Sequence, residues 1–218
     1  MKPTSSKILV SKTIGSVSTL TLKPQNTKAV IALAHGAGAG MKHAFMERLA
    51  AQLCGLSVAT VRYNFPYIEN KKKMPDVPAV AEKTVAEVYA HVSDIFSGTP
   101  VFLAGKSFGG RMSSQFVSKN NPRDLRGIIF FGFPLHAPGK PDTQRAEHLK
   151  AITCPMLFLQ GTNDALANIS LIEKVSSALP RATLIKFDGA NHSFKVKSKE
   201  LIDELAVQTS QWIQKILG

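Results

Sequence analysis

Ser107 stands in Gly105-Lys106-Ser107-Phe108-Gly109, directly after the apolar run Val101-Phe102-Leu103-Ala104. A β-branched and aromatic run that breaks into Gly-x-Ser-x-Gly is the sequence form of a nucleophile elbow. Its tight strand-to-helix turn holds a serine hydroxyl clear of a sheet edge. Residues 110–117 read as the helix that such an elbow feeds. A serine hydroxyl is a weak nucleophile near neutral pH and needs a base, which in turn needs an acid to orient it. Where an elbow supplies the serine, the acid and then the histidine follow it along the chain. Asp164 fits the acid, in Gly161-Thr162-Asn163-Asp164 just past the apolar run 156–160. His192 fits the base, in Gly189-Ala190-Asn191-His192-Ser193-Phe194 just past the run 183–187. Asp188 and Asp142 are the rival acids. Asp188 ends the strand before the histidine loop, and Asp142 falls deep in an irregular segment.

An acyl-transfer site also needs donors for the developing oxyanion. One is the backbone N–H of Phe108, the residue after the nucleophile. The other belongs to His35-Gly36-Ala37-Gly38-Ala39-Gly40, where small residues let backbone N–H groups approach a substrate. Ala37 is the first choice and Gly38 the next, with His35 bracing the loop. Two phosphate-type readings fail on spacing. A P-loop ending at Gly105-Lys106-Ser107 needs glycine where Pro100 stands, and a dinucleotide fingerprint needs glycine at Met41. No cofactor is implied, and no residues have metal-ligand spacing.

These residues must be positioned by alternating strands and helices. Residues 16–22 alternate polar and apolar, as a half-solvated strand does. Residues 29–34 form a continuous apolar run, as a strand covered on both faces does. Further strands are expected at 57–63, 100–104, 127–133, 156–160 and 183–187. Helical spacing predicts helices through Phe45, Leu49 and Leu53, over 80–96 with Val85, Val88, Val92 and Ile95 on one face, near 169–179, and over 200–217. The repetition predicts a mostly parallel sheet with helices on both faces. Strands 16–22 and 29–34 lie too close in sequence for a helical crossover and are expected to be antiparallel. No repeat, low-complexity tract or linker interrupts the 218 residues, so one domain, 1–218, is expected.

The composition is globular, with 44% hydrophobic residues and no run approaching the ~20 apolar residues of a membrane span. The apolar patch Ile8-Leu9-Val10 is too short for a signal-peptide core. Cys54 and Cys154 form no redox or metal pair, and a reduced, cytoplasmic setting is expected. The formal net charge is +12, but the basic residues are dispersed and form no nucleic-acid reading face, so nucleic acid is not the expected partner.

With the elbow, the His-Gly loop, Asp164 and His192 in place, the chain resembles the α/β-hydrolase superfamily over nearly its whole length. Within it the chain is most similar to the dienelactone-hydrolase-like branch. More specifically it is similar to a group of predicted hydrolases that includes a testis-expressed protein and a subunit of a histone-acetyltransferase complex. The segments that carry this are 35–38, Arg62-Tyr63-Asn64-Phe65-Pro66-Tyr67, 105–112 and 132–140. The resemblance implies an eight-stranded, mostly parallel sheet flanked by helices, a Ser-Asp-His site and no separate cap domain. Dienelactone hydrolases use cysteine where this chain has Ser107, so their activity does not transfer.

The function so implied is a serine hydrolase of carboxylesterase type acting on a small soluble acyl substrate. The alternative is a non-catalytic interaction module on the same fold, binding an anionic partner. Residues 62–67 and 134–140 are expected near the substrate cleft, with Gly38, Tyr63, Arg111, His136 and Lys140 as candidate contacts. The alternatives are a core role for Tyr63 and a buried acid as the partner of Arg111. Residues 134–150 are too few for a lid, which predicts a shallow, open site suited to short acyl groups. Lys71, Lys72, Lys73 and Lys140 are expected on its rim, with Lys106 beside the nucleophile, where they would steer anionic substrates. The oligomeric state is not legible.

Overall fold

A computed structural model describes residues 2–218. Its strands are β1 (Thr4–Ser11), β2 (Gly15–Leu22), β3 (Ala29–Ala34), β4 (Val58–Tyr63), β5 (Val101–Lys106), β6 (Leu125–Phe131), β7 (Met156–Gly161) and β8 (Ala182–Phe187). They form one sheet in the order β1-β2-β4-β3-β5-β6-β7-β8. From β4 onward through that order the neighbours are parallel, while β1 with β2 and β2 with β4 are antiparallel. Strands β2 and β3 do run in opposite directions, but they do not pair, because β4 lies between them.

The helices are α1 (Ala44–Gly55), α2 (Pro66–Glu69), α3 (Pro78–Ile95), α4 (Phe108–Asn120), α5 (Ile169–Ser177) and α6 (Ile202–Leu217). Strand β3 shows how the layers form. Val30, Ala32 and Ala34 point into a core shared with Val85, Val88 and Val92 of α3 and Met112 and Phe116 of α4. Ala29, Ile31 and Leu33 point the other way, into a core shared with Leu49 and Leu53 of α1 and Leu205, Trp212 and Ile213 of α6. The period of two puts apolar side chains in both layers, hence the unbroken run in the sequence.

Two helices depart from the pattern. In α3 the face turns at its end: Ile95 is 45% exposed and Phe96 is buried in its place. Helix α6 starts at Ile202 because Lys199–Glu200 (β10) pairs with Lys195–Val196 (β9) in a small hairpin just before it. Between β6 and β7 residues 134–150 carry no cap domain, only a 3₁₀ segment at Gln144–Ala151. The carboxyl ends of β3, β5, β7 and β8 lie along one sheet edge, where open sheets of this kind place their ligands.

Candidate active site

Ser107 links β5 to α4 and has φ 51° and ψ −114°. A non-glycine residue at positive φ outside the left-handed helical basin is strained by roughly 1–3 kcal/mol. The turn is tight because its glycines allow contact that no side chain would permit. A Cβ on Gly105 would lie 2.2 Å from the backbone nitrogen of Gly110, and one on Gly109 would lie 2.6 Å from the carbonyl oxygen of His35. The turn is fixed by Ser107 N donating to Phe131 O at 3.2 Å and Arg111 N donating to Ser107 O at 3.1 Å.

Asp164 and His192 come from the loops after β7 and β8. Those loops are tied together by Asn163 N donating to Ala190 O at 2.9 Å and Gly189 N donating to Thr162 Oγ1 at 2.8 Å. His192 Nδ1 donates to Asp164 Oδ2 at 2.7 Å. The carboxylate only accepts, so the imidazole is held with its proton on Nδ1 and its lone pair on Nε2. Nε2 is buried and has no hydrogen-bond partner, and His192 lines the same cavity as Ser107. Asp164 is further held by Gln160 Nε2 at 2.7 Å and Leu166 N at 2.8 Å. Burial alone would raise its carboxyl. The bonds from His192 and Leu166 and the charges of His192 and Lys106 outweigh that and hold it below the usual carboxylate value. Gln160 is fully buried and accepts from Phe133 N at 3.0 Å through Oε1. Sequence reading placed Gln160 only in a strand; nothing in the pattern marks it as the residue that fixes the carboxylate.

The candidate oxyanion donors come from the loop after β3 and from the first residue of α4. Among the described residues, Phe108 N and Ala37 N bond to no other part of the chain. Gly38 N does not share that freedom, because it donates to Tyr67 Oη at 2.9 Å. His35 is wholly buried, with Nδ1 donating to Gly36 O at 2.7 Å and Nε2 accepting from Phe65 N at 3.1 Å. Burial, with a smaller contribution from the charge of His43, lowers its pKa to about 4 against the hydrogen bond to Gly36. The ring is a neutral brace. Asn64 Oδ1 adds a bond from Met41 N at 2.8 Å, and Arg62 Nη1 donates to Met41 O at 2.9 Å. Residues 62–67 therefore hold the loop after β3 from behind instead of lining the cavity.

The cavity at Ser107 has a volume of about 600 Å³ and extends between the start of α1 and the β9–β10 hairpin. Phe45, Met46, Leu166 and Ile202 give it apolar walls. None of Gly38, Tyr63, Arg111, His136 or Lys140 lines it. Tyr63 is a core residue, fully buried beside Phe65. Arg111 lies near Arg145, a like charge, and not near an acid. His136 is buried and spends both ring nitrogens on backbone, on Ala137 O at 2.8 Å and Asn168 N at 2.8 Å, so it braces the Asp164 loop. Lys140 is exposed on a turn. Nor do Lys71, Lys72 or Lys73 border the cavity; besides His192 its basic residues are His43, Arg48, Lys106 and Lys195. Arg48 and Lys195 share Glu200, the latter at 2.7 Å, which joins α1 to the hairpin. The site is a pocket of small-molecule size that stays partly open to solvent. Its wall residues were missed because they sit in ordinary helix and hairpin sequence with no motif of their own.

A mostly parallel sheet with a strained serine at the end of its central strand, and an Asp-held histidine facing the same cavity, defines a hydrolase-type architecture. Residues 27–215 match the model of the alpha/beta hydrolase domain, and the chain belongs to that family. Similar solved structures include a dienelactone hydrolase from Anabaena variabilis, 18% identical over 99% of both chains with a TM-score of 0.79. An alpha-beta serine hydrolase homologue from Coxiella burnetii is 18% identical over 100% of this chain and 99% of its own, with a TM-score of 0.75. XC6422 from Xanthomonas campestris, described as a serine hydrolase without lid, is 17% identical over 100% of this chain and 94% of its own, with a TM-score of 0.71. At these identities the likeness establishes the fold. No helix among the described residues is long and apolar enough to cross a membrane.

Proposed function

We propose that the protein is a serine hydrolase of carboxylesterase type that cleaves a small ester, thioester or comparable acyl compound. The observation that carries this is the unpartnered, buried Nε2 of an Asp-held His192 in the same cavity as strained Ser107. Ser107 Oγ bonds the acyl carbon while His192 Nε2 takes its proton. Phe108 N–H and Ala37 N–H hold the oxyanion. The bond to the leaving alcohol or thiol breaks as His192 returns the proton to it. Water then attacks the acyl-serine with His192 as base, releasing the acid and free Ser107. The apolar walls suit a short to medium acyl or alkyl group, and the cavity's basic residues favour neutral or anionic substrates over cationic ones. Within the family, segments 35–38, 62–67, 105–112 and 132–140 support a place in the dienelactone-hydrolase-like branch, beside the group with the testis-expressed protein and the acetyltransferase-complex subunit. A non-catalytic module has no use for a strained serine facing a free base, and nothing in the site favours that alternative. The test is labelling with an active-site-directed fluorophosphonate, with turnover of p-nitrophenyl acetate measured in parallel. Wild type should be labelled at Ser107 and Ser107→Ala should lose both signals; a folded wild type that is neither labelled nor active refutes the reading.

A further inference from the structure

The residue before the nucleophile is a lysine that turns inward. Lys106 Nζ donates to the carbonyl oxygen of His192 at 2.6 Å and lies 5.5 Å from the centroid of the Phe194 ring. Its stem runs against the oxyanion loop, where a Cβ on Gly36 would sit 3.5 Å from Lys106 Cγ. Gly132, at φ 72°, leaves room for both groups; a Cβ there would lie 3.2 Å from Lys106 Nζ and 3.5 Å from the His192 ring. Among the described residues no carboxylate bonds this ammonium. Asp164 is near enough to act through its charge, but its oxygens are bonded elsewhere.

Strands β5 and β8 are separated by β6 and β7, about 14 Å across at the usual strand spacing. The loop after β8 bonds to itself, to the loop after β7 and to the start of the hairpin and α6. Lys106 makes the one hydrogen bond, among the described residues, from the serine's strand to the histidine's loop. We infer that Lys106 is a positioning residue for hydrolysis, clamping the His192 loop to the strand that carries Ser107 so that Nε2 meets Oγ in the reacting geometry. This rests on the Ser107-His192-Asp164 reading above. A half-buried lysine ammonium with no carboxylate bond is poorly compensated for its lost hydration, so its place beside a reacting pair points to function. Burial lowers its pKa to about 8, against the opposing charge of Asp164.

The experiment compares Lys106→Met and Lys106→Arg with wild type by fluorophosphonate labelling rate, kcat and KM on p-nitrophenyl acetate, and Tm. A small misplacement of a catalytic group costs on the order of 10–100-fold. Lys106→Met should therefore lower kcat and labelling by about that much, leave KM within about twofold, and keep or raise Tm. Lys106→Arg should recover part of the lost kcat by restoring a cationic donor. A Met variant with wild-type kcat overturns the clamp. So does one whose Tm falls along with kcat or which does not fold, since the lysine is then structural. A raised KM at unchanged kcat would make it a substrate contact. If wild type itself is not labelled at Ser107, the serine hydrolase reading fails, and the clamp with it.

Discussion

Acid should loosen the fold through His35, and the size of the effect follows from its bonds. The neutral ring donates from Nδ1 to Gly36 and accepts at Nε2 from Phe65 N–H. A second ring proton would face that N–H donor in a fully buried site. The pKa is accordingly lowered from 6.5 to about 4. A folded-state pKa below the unfolded one means that the unfolded chain takes up the proton first. Stability is full above about pH 6.5 and is lost as pH falls toward 4, by about 3.4 kcal/mol in all at 1.36 kcal/mol per pH unit. Between pH 7.5 and pH 5 the loss from this group is about 2 kcal/mol. The assay is urea unfolding at both pH values, followed by the fluorescence of Trp212, the chain's single tryptophan, which is buried. His35→Gln removes the titration at the expense of some packing, but its packing loss is the same at both pH values and cancels. Wild type should therefore lose about 2 kcal/mol more than the variant between the two conditions. His148, also lowered to about 4 mainly by burial, contributes equally to both proteins. Equal losses in the two proteins would refute the account of His35 as a neutral, buried brace.

Two further substitutions probe the site from either side. Gln160→Leu removes the bond to Asp164 Oδ2 and leaves Phe133 N–H unpaired, and should lower kcat about tenfold with little change in KM, at a stability loss of about 1–3 kcal/mol; unchanged kcat in steady-state kinetics would mean that Asp164 needs no such support. Ser107→Gly relieves the backbone at φ 51° and should raise unfolding stability by about 1 kcal/mol, after glycine's entropy loss, while abolishing fluorophosphonate labelling; a destabilised variant in a denaturant titration would show that the elbow is not strained.

The sequence made legible whatever depends on local pattern. The elbow, the strand that precedes it and the order of Ser107, Asp164 and His192 depend on runs of a few residues, and the structure places all three along one edge. Strand β1 was not legible because it is an edge strand. Only Ile8 and Val10 of its centre are buried, and Leu9 is 59% exposed, so its apolar signal is two residues long. Pairing of β2 with β4 was equally hidden, since nothing local says that the chain will pass β2's near neighbour in sequence to find a strand about 40 residues on. The cavity wall was the largest omission. Phe45, Arg48 and Glu200 become neighbours only when α1 and the hairpin pack along the same edge.

Segments 62–67 and 134–140, both within the stretches that carry the family likeness, do not line the cavity as expected. Each lies at the carboxyl edge, so a place beside the substrate was a reasonable expectation. Each instead turns polar groups onto neighbouring backbone: Asn64 and Tyr67 on the loop after β3, and His136 on the loop that carries Asp164. The physical reason is that N–H groups in the proposed oxyanion role must stay free for substrate. The loop after β3 leaves Ala37 N unbonded, as the start of α4 leaves Phe108 N, and so gives up a hydrogen bond that would ordinarily help to fix it. Its shape must then be set by side chains reaching in from neighbouring strands. A distinctive polar sequence next to such a loop is therefore expected from the proposed chemistry even when none of it lines the cavity, whose walls come from the less distinctive sequence of α1 and the hairpin.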